Sequence, residues 1–149
     1  FTKVIHINLI GSFLCDKAAA ALMQRNEPNA DGERGVIIHT SSVAAFEGQI
    51  GQVAYSAAKA GIAGMTLTMA RDLGSFGIRA MSIAPSLFST GITAGIPPEM
   101  AAVLTKDAAF PKRMGLPNEY ALLVKGIAEN PMLNGSCIRL DAGVRFSPK

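Results

Sequence analysis

The feature that most constrains the fold of this chain is an apolar run of Val36, Ile37 and Ile38 within residues 35–64 (GVIIHTSSVAAFEGQIGQVAYSAAKAGIAG). A short, continuously apolar run is typical of a strand in a parallel sheet covered on both faces. Polar residues follow at positions 40–42, then a glycine-bearing loop, and then a helix-forming segment that carries Tyr55 and Lys59. The order predicts a buried strand, an active-site loop and a catalytic helix.

Helical and strand patterns alternate along the rest of the chain. They predict helices over residues 1–24, 55–73, 97–107 and 118–129, with Asn118 as a cap of the last one, and strands over residues 35–40, 78–84 and 137–140. This alternation predicts an α/β fold with a mostly parallel sheet and right-handed crossovers. Sites in such sheets lie beyond the carboxyl ends of the strands, so Ser42 and Pro85 are expected at the same edge.

The first predicted helix is apolar on nearly all of its faces, which is typical of a helix in a core or at a subunit interface. His6, Asn8, Asp16 and Lys17 interrupt its apolar residues. These interruptions predict that the helix is not a membrane span. In the helix that follows Tyr55, small residues leave room for another backbone to approach closely.

Composition narrows the function classes. The 149 residues are 49% hydrophobic and 17% charged, which suits one globular domain over residues 1–149. The net charge of +3 comes without basic runs interleaved with aromatics, so nucleic-acid binding is not indicated. Cys15 and Cys137 lie in apolar segments and are predicted to be buried thiols of a reducing compartment. His6 and His39 lack the spacing of metal ligands, and His39 is predicted to be a core histidine.

Tyr55 and Lys59 are four residues apart on a predicted helix, so their side chains emerge on one face. A phenol has a pKa near ~10, and a nearby ammonium favours its phenolate form. Ser42, at the end of the preceding strand, is placed to hydrogen-bond an alcohol or carbonyl oxygen. The three side chains therefore suit proton transfer at a carbinol oxygen, with hydride passing to a cofactor.

These residues resemble the catalytic motifs of the short-chain dehydrogenase/reductase family, and the resemblance extends over almost the whole chain. Ser42, Tyr55 and Lys59 match its Ser and YxxxK motif, and Asn8 matches the helix-borne Asn that completes its tetrad. Residues 85–90 (PSLFST) match the stretch that packs against nicotinamide, and residues 140–143 (LDAG) match the last-strand signature. The fold implied is the C-terminal part of a doubly wound parallel-sheet Rossmann-type fold.

The resemblance also implies roles for individual residues. Tyr55 is the general base, Lys59 favours its phenolate and bonds the nicotinamide ribose, Ser42 holds the substrate oxygen, and Asn8 anchors a water in a proton relay. The implied cofactor is NAD, and its nicotinamide end is contacted by Tyr55, Lys59, Pro85, Leu87, Phe88 and Thr90. Gln49 and Gln52 fit either substrate contact or an ordinary loop role, Gln52 being our substrate-binding candidate. Asn8 and Thr90 have structural readings as well, as a satisfied buried amide and a loop hydroxyl.

Three stretches most resemble family members that oxidise 3-hydroxyacyl-CoA thioesters or hydroxysteroids. For this chain the resemblance implies a homotetramer in the mitochondrial matrix, or otherwise a cytoplasmic protein. The sequence has no glycine-rich phosphate-binding loop, so the expectation is the catalytic part of a longer domain. Ser86 stands where the family usually has glycine. The alternatives are a catalytically inactive paralogue that acts as an oligomer subunit, and an enzyme that reduces 3-oxoacyl groups on acyl-carrier protein.

Overall fold

Three parallel strands organise residues 1–147, the part of the chain that the computed structural model describes. The elements in chain order are α1 (Thr2–Ile5), a π-helical segment (His6–Ile10), α2 (Gly11–Met23), β1 (Gly35–Thr40), a 3₁₀ turn (Val43–Ala45), α3 (Val53–Gly74), β2 (Ile78–Pro85), α4 (Pro98–Thr105), α5 (Pro117–Glu129) and β3 (Cys137–Leu140). Every predicted helix and strand is present, with bounds within about two residues of those predicted.

The strands pair in the order β1-β2-β3, and all are parallel. Because alternate residues of a strand point to opposite faces, one face of the sheet carries Ile37 and Ile78 and the other carries Met81 and Ile83. Residues of α2 and α3 pack on the first face, and residues of α5 pack on the second. The predicted α/β architecture with a covered parallel sheet is therefore confirmed.

The prediction that all crossovers are right-handed is wrong. Both crossovers step across the sheet in the same direction, from β1 to β2 and from β2 to β3. Their helices, α3 and α5, cover opposite faces, so the two crossovers have opposite hands. The usual rule describes a strand that feeds directly into one packed helix. The second connection instead runs through a long loop and α4 before it reaches α5.

The N-terminal helical stretch, Thr2–Met23, packs on α3 and β1 along one side only. Leu9 fits against Gly61 of α3, where a Cβ atom would lie 2.8 Å from a methyl group of Leu9. Only Asp16 and Ala20 of α2 are buried. Large apolar side chains on the other side are exposed, namely Ile7, Ile10, Phe13, Leu14 and Leu22. The prediction that this helix is buried in a core is therefore wrong for most of its surface, and the alternative, a subunit interface, stays a prediction.

By length and composition alone, the same stretch could cross a membrane, with a mean hydropathy of 1.2. Its Asp16 is buried and lies 2.7 Å from Nε2 of His39 on β1. An aspartate at mid-helix is costly in a bilayer, and here it is bonded to a strand of the same domain. The contact favours the prediction that this helix is not a membrane span, and it makes His39 a buried, hydrogen-bonded core histidine as predicted.

Two local predictions are corrected by the structure. The N-cap of α5 is Leu116, not Asn118, because the helix begins at Pro117 and the Glu119 carboxylate accepts the Leu116 N–H at 2.7 Å, which closes the first turn. Cys15 is exposed rather than buried, and Cys137 is partly buried. Cys15 lies on a different side of α2 from Asp16, whose side faces the sheet.

Candidate functional site

Ser42, Tyr55 and Lys59 are placed by the connection between β1 and α3. Ser42 follows the end of β1, and its Oγ accepts the backbone N–H of Ala44 at 3.1 Å, which caps the short 3₁₀ turn. Tyr55 and Lys59 lie in the first two turns of α3, four residues apart. The Lys59 Nζ is 5.7 Å from the centroid of the Tyr55 ring. The helix therefore presents an ammonium beside the phenol, within the range of a cation–π contact.

Lys59 is tied to the carboxyl end of β1 by two hydrogen bonds. Its Nζ donates to the carbonyl oxygen of Thr40 at 2.9 Å. The hydroxyl of Ser41, which is buried, donates to the backbone carbonyl of Lys59 at 2.8 Å. Partial burial lowers the pKa of Lys59 below its usual value. These contacts fix both the helix position and the direction of the amine.

A cavity of about 500 Å³ opens beside Tyr55, a size suited to a small organic ligand. Its walls come from the β1–α3 connection and the first turn of α3, the residues after β2, α4 and the residues just after it, and the residues after β3. The lining residues are Ser42, Val43, Ala44, Glu47, Gln49, Gly51, Gln52, Tyr55, Ser86, Leu87, Leu104, Asp107, Phe146 and Ser147. The structure thus brings Ser42, Tyr55, Gln52 and Leu87 of the predicted site to one cavity, together with Gln49.

The other predicted site residues lie outside that cavity lining. Pro85 ends β2 and pairs with β3. Phe88 lines a separate cavity of about 150 Å³ and packs edge-on against Tyr120, with ring centroids 6.1 Å apart. Thr90 is exposed in a turn in which its backbone N–H donates to the Thr93 hydroxyl. Their predicted contacts with nicotinamide remain predictions.

Asn8 lies in the π-helical segment, which packs on α3. Its side-chain amide donates to the carbonyl oxygen of Val4 at 3.2 Å, and its own backbone carbonyl accepts the Ser12 hydroxyl at 2.8 Å. The bond to Val4 is what the structural alternative expects, a side-chain amide satisfied by a backbone carbonyl. The role of Asn8 in a water relay remains a prediction. Ser86 stands where glycine is usual in the family. Its φ is negative, since Ala142 is the one described non-glycine residue with a positive φ, so the serine carries no strain of that kind.

Several residues at the site were not singled out from the sequence. Thr40 supplies the acceptor for Lys59, and its hydroxyl lies 2.6 Å from the hydroxyl of Tyr120. Glu47 lines the cavity and pairs with Arg139 of β3. For Arg139 the sequence did offer a signal, because a charged residue inside an otherwise apolar strand needs a partner of opposite charge. No cluster of metal-ligating side chains occurs within residues 1–147.

Comparisons with known proteins extend these observations. The sequence model described as short chain dehydrogenase matches residues 1–101. The chain is 54% identical, over 99% of its length, to 3-hydroxyacyl-CoA dehydrogenase type-2 of Drosophila melanogaster, and it spans 58% of that relative. It superposes with a TM-score of 0.97 and 44% identity on the crystal structure of 3-hydroxyacyl-CoA dehydrogenase type-2 from Mycobacterium avium, covering 100% of this chain and 58% of that one.

A more distant structural relative carries a cofactor. The crystal structure of a 3-oxoacyl-[acyl-carrier protein] reductase with bound NAD from Brucella melitensis superposes with a TM-score of 0.79 and 28% identity. The superposition covers 98% of this chain and 52% of the reductase chain. This chain therefore spans little more than half the length of the proteins it matches.

Proposed function

Because the chain belongs to the short-chain dehydrogenase family, we propose that it forms the catalytic part of an oxidoreductase that interconverts a secondary alcohol and a ketone. The observation that carries the proposal is the convergence of Ser42 and Tyr55 on one cavity, with Lys59 beside the phenol. We further propose 3-hydroxyacyl-CoA thioesters or hydroxysteroids as the substrate class. The likeness to 3-hydroxyacyl-CoA dehydrogenase type-2 supports the first of these.

The proton chemistry follows from the donors and acceptors present. In the oxidation direction, the Tyr55 phenolate accepts the hydroxyl proton of the substrate. The Ser42 hydroxyl donates a hydrogen bond to the same substrate oxygen, while its own oxygen stays bonded to the Ala44 N–H. The Lys59 Nζ lies 5.7 Å from the centroid of the Tyr55 ring, so a positive charge stands beside the group that exchanges the proton. In the reduction direction, the same phenol returns the proton to the carbonyl oxygen.

The residues present fit the nicotinamide end of a dinucleotide. Lys59 uses one of its three N–H donors on Thr40, which leaves donors for a ribose hydroxyl. Tyr55 and Leu87 share the cavity wall at the carboxyl ends of β1 and β2, the edge at which such sheets bind ligands. When bound there, NAD supplies the acceptor for hydride. Pro85, Phe88 and Thr90 are proposed to complete this contact, and Asn8 to anchor a water near Lys59.

We also propose assembly into a homotetramer in the mitochondrial matrix, on the resemblance of the sequence. A second candidate function is that of a catalytically inactive oligomer subunit. It is favoured by the exposed apolar side of Thr2–Met23. It is also favoured by the free edge of β1, since the one described strand that pairs with β1 is β2, on its other edge. Such surfaces are typical of sites that bind another chain.

Steady-state assays of the purified chain test the proposal, with NAD and 3-hydroxybutyryl-CoA or a hydroxysteroid, and with NADH and a 3-oxoacyl-carrier protein in reverse. We expect turnover of the 3-hydroxyacyl thioester. Tyr55→Phe and Ser42→Ala should each lower kcat by about 10²- to 10⁴-fold, since each removes a group that acts on the reacting oxygen. Ser75→Ala, at an exposed serine that follows α3 and is not among the cavity-lining residues, is the matched control for Ser42→Ala and should keep most of the activity.

The outcomes separate the candidates. Equal activity of Tyr55→Phe and the unmodified chain would overturn the catalytic assignment. Preference for the carrier-protein substrate would move the chain to the reductases. A folded chain that neither binds NADH nor turns over any substrate, but associates with a full-length family member, would favour the oligomer subunit.

A further inference from the structure

Arg139, the third residue of β3, joins two walls of the cavity beside Tyr55. Its Nη2 donates to the Glu47 carboxylate, which lies in the β1–α3 connection. Its Nε donates to Oδ2 of Asp141 at 2.7 Å, and Nη2 also donates to the carbonyl oxygen of Val144 at 2.9 Å. One guanidinium therefore holds a residue that precedes α3 and two residues that follow β3.

Both sets of partners lead directly to the cavity. Glu47 is itself a lining residue, and so is Phe146, two positions after the buried Val144. The Arg139 guanidinium also lies over the ring of Phe46, 5.5 Å from its centroid. A planar fork with five donors suits this arrangement, because it can bond two carboxylates and stack on a ring at once.

The segment after β3 has a conformation that needs such support. Ala142 has a φ of 52°, in the left-handed region that favours glycine, and Gly143 follows with a φ of 70°. Asp141 closes this turn by accepting the Gly143 N–H at 3.1 Å. Strained backbone of this kind persists where its surroundings over-determine it, and the bond from Arg139 fixes the Asp141 carboxylate.

We propose that Arg139 is a positioning residue that sets the width of the substrate cavity by holding Glu47 and residues 141–146 at a fixed separation. The inference rests on the proposed function in taking this cavity as the substrate site. A cavity of fixed width discriminates between acyl chains of different bulk. Loss of the tie should therefore affect substrates unequally, whereas loss of a general structural support would lower activity on all of them alike.

The test uses Arg139→Met, Glu47→Gln and the double variant. Arg145→Met is the matched control, because Arg145 is an exposed arginine that also contacts Asp141, at 3.2 Å, but does not contact Glu47. The first readout is kcat/KM for a short and a long 3-hydroxyacyl-CoA. The second is amide hydrogen exchange over residues 43–52 and 141–146. Arg139→Lys, which keeps the charge but not the fork, serves as a second variant where the Met variant does not fold.

If Arg139 acts as a tie, each single variant lowers kcat/KM for the preferred chain length by about 10- to 100-fold, with most of the loss in KM. Amide exchange accelerates in both segments, and the double variant is no worse than Arg139→Met, because that variant already loses the bond to Glu47 along with those to Asp141 and Val144. Arg145→Met leaves both readouts near those of the unmodified chain.

Recovery of activity in the double variant would overturn the proposal, because it would show that Arg139 merely neutralises the charge of Glu47. Unchanged exchange in Arg139→Met would overturn it as well. Should the unmodified chain turn over none of the substrates, the proposed function fails. The exchange data then decide by themselves whether Arg139 ties the two segments.

Discussion

The buried contact between Asp16 of α2 and His39 of β1 gives a sharp prediction about stability. Both residues are less than a tenth exposed, and Asp16 Oδ1 lies 2.7 Å from His39 Nε2. The other polar atom of each side chain, Asp16 Oδ2 and His39 Nδ1, is buried without a partner among the described residues. Asp16→Ala would therefore leave the His39 ring with no hydrogen bond at all.

The expected cost follows from this geometry. A buried polar group that loses its hydrogen-bond partner costs about 1–3 kcal/mol. We expect Asp16→Ala to lower the free energy of unfolding by about 1–3 kcal/mol, which corresponds to a fall in Tm of about 3–10 °C. Asp16→Asn keeps an oxygen acceptor for His39 and should cost about 1 kcal/mol or less.

Urea unfolding followed by circular dichroism measures these differences. Asp72→Ala is the matched control, because Asp72 is an exposed aspartate on α3 that borders the same groove as Asp16. In the double variant Asp16→Ala/His39→Ala, the two single losses should be non-additive by about 1 kcal/mol or more. If Asp16→Ala and Asp72→Ala have equal free energies of unfolding, the reasoning is refuted, because the contact between Asp16 and His39 then does not hold α2 on the sheet.

Two further predictions concern α3 and α5. Gly61→Ala should be less stable than Gly64→Ala by about 1 kcal/mol or more in urea unfolding, because its Cβ meets Leu9 whereas nothing lies within 4 Å at Gly64; equal stabilities would contradict this. The Arg113 guanidinium and the Leu116 N–H both donate to the Glu119 carboxylate and lower its pKa to about 2. The contribution of Glu119 to stability is therefore complete above the unfolded pKa near 4.5 and declines as the pH falls toward 2. Glu119→Gln should flatten the fall in Tm between these pH values, while Glu129→Gln, in an exposed pair, should follow the unmodified curve.

The elements of the fold were predictable because each leaves a local pattern. The continuous apolar run of β1, and the glycines at positions 74 and 77 at and just after the end of α3, are patterns of neighbouring residues, and such local patterns decide the existence and bounds of elements well. The handedness of the second crossover is not a local property. It depends on which face of the sheet α5 covers, and α5 is separated from β2 by a long connection.

The site was predictable to a similar extent. Spacing alone placed Tyr55 and Lys59 on one side of a helix, and the end of β1 placed Ser42 near them. The pairing of Glu47 with Arg139 joins positions 92 residues apart in the chain, so no spacing rule could reveal it. The exposed position of Cys15 was missed for a different reason. Apolar neighbours in sequence predict burial only where a partner element covers that side of the helix.

The central claim is that Ser42, Tyr55 and Lys59 form one half of a nicotinamide site, and NADH titration of the purified chain tests it most directly. Fluorescence of NADH should report saturable binding that weakens by about tenfold or more in Lys59→Ala, because the amine proposed to bond the ribose is lost. Lys125→Ala, at an exposed lysine of α5, should bind like the unmodified chain. Folded protein without saturable binding, or equal affinity in Lys59→Ala, would contradict the account.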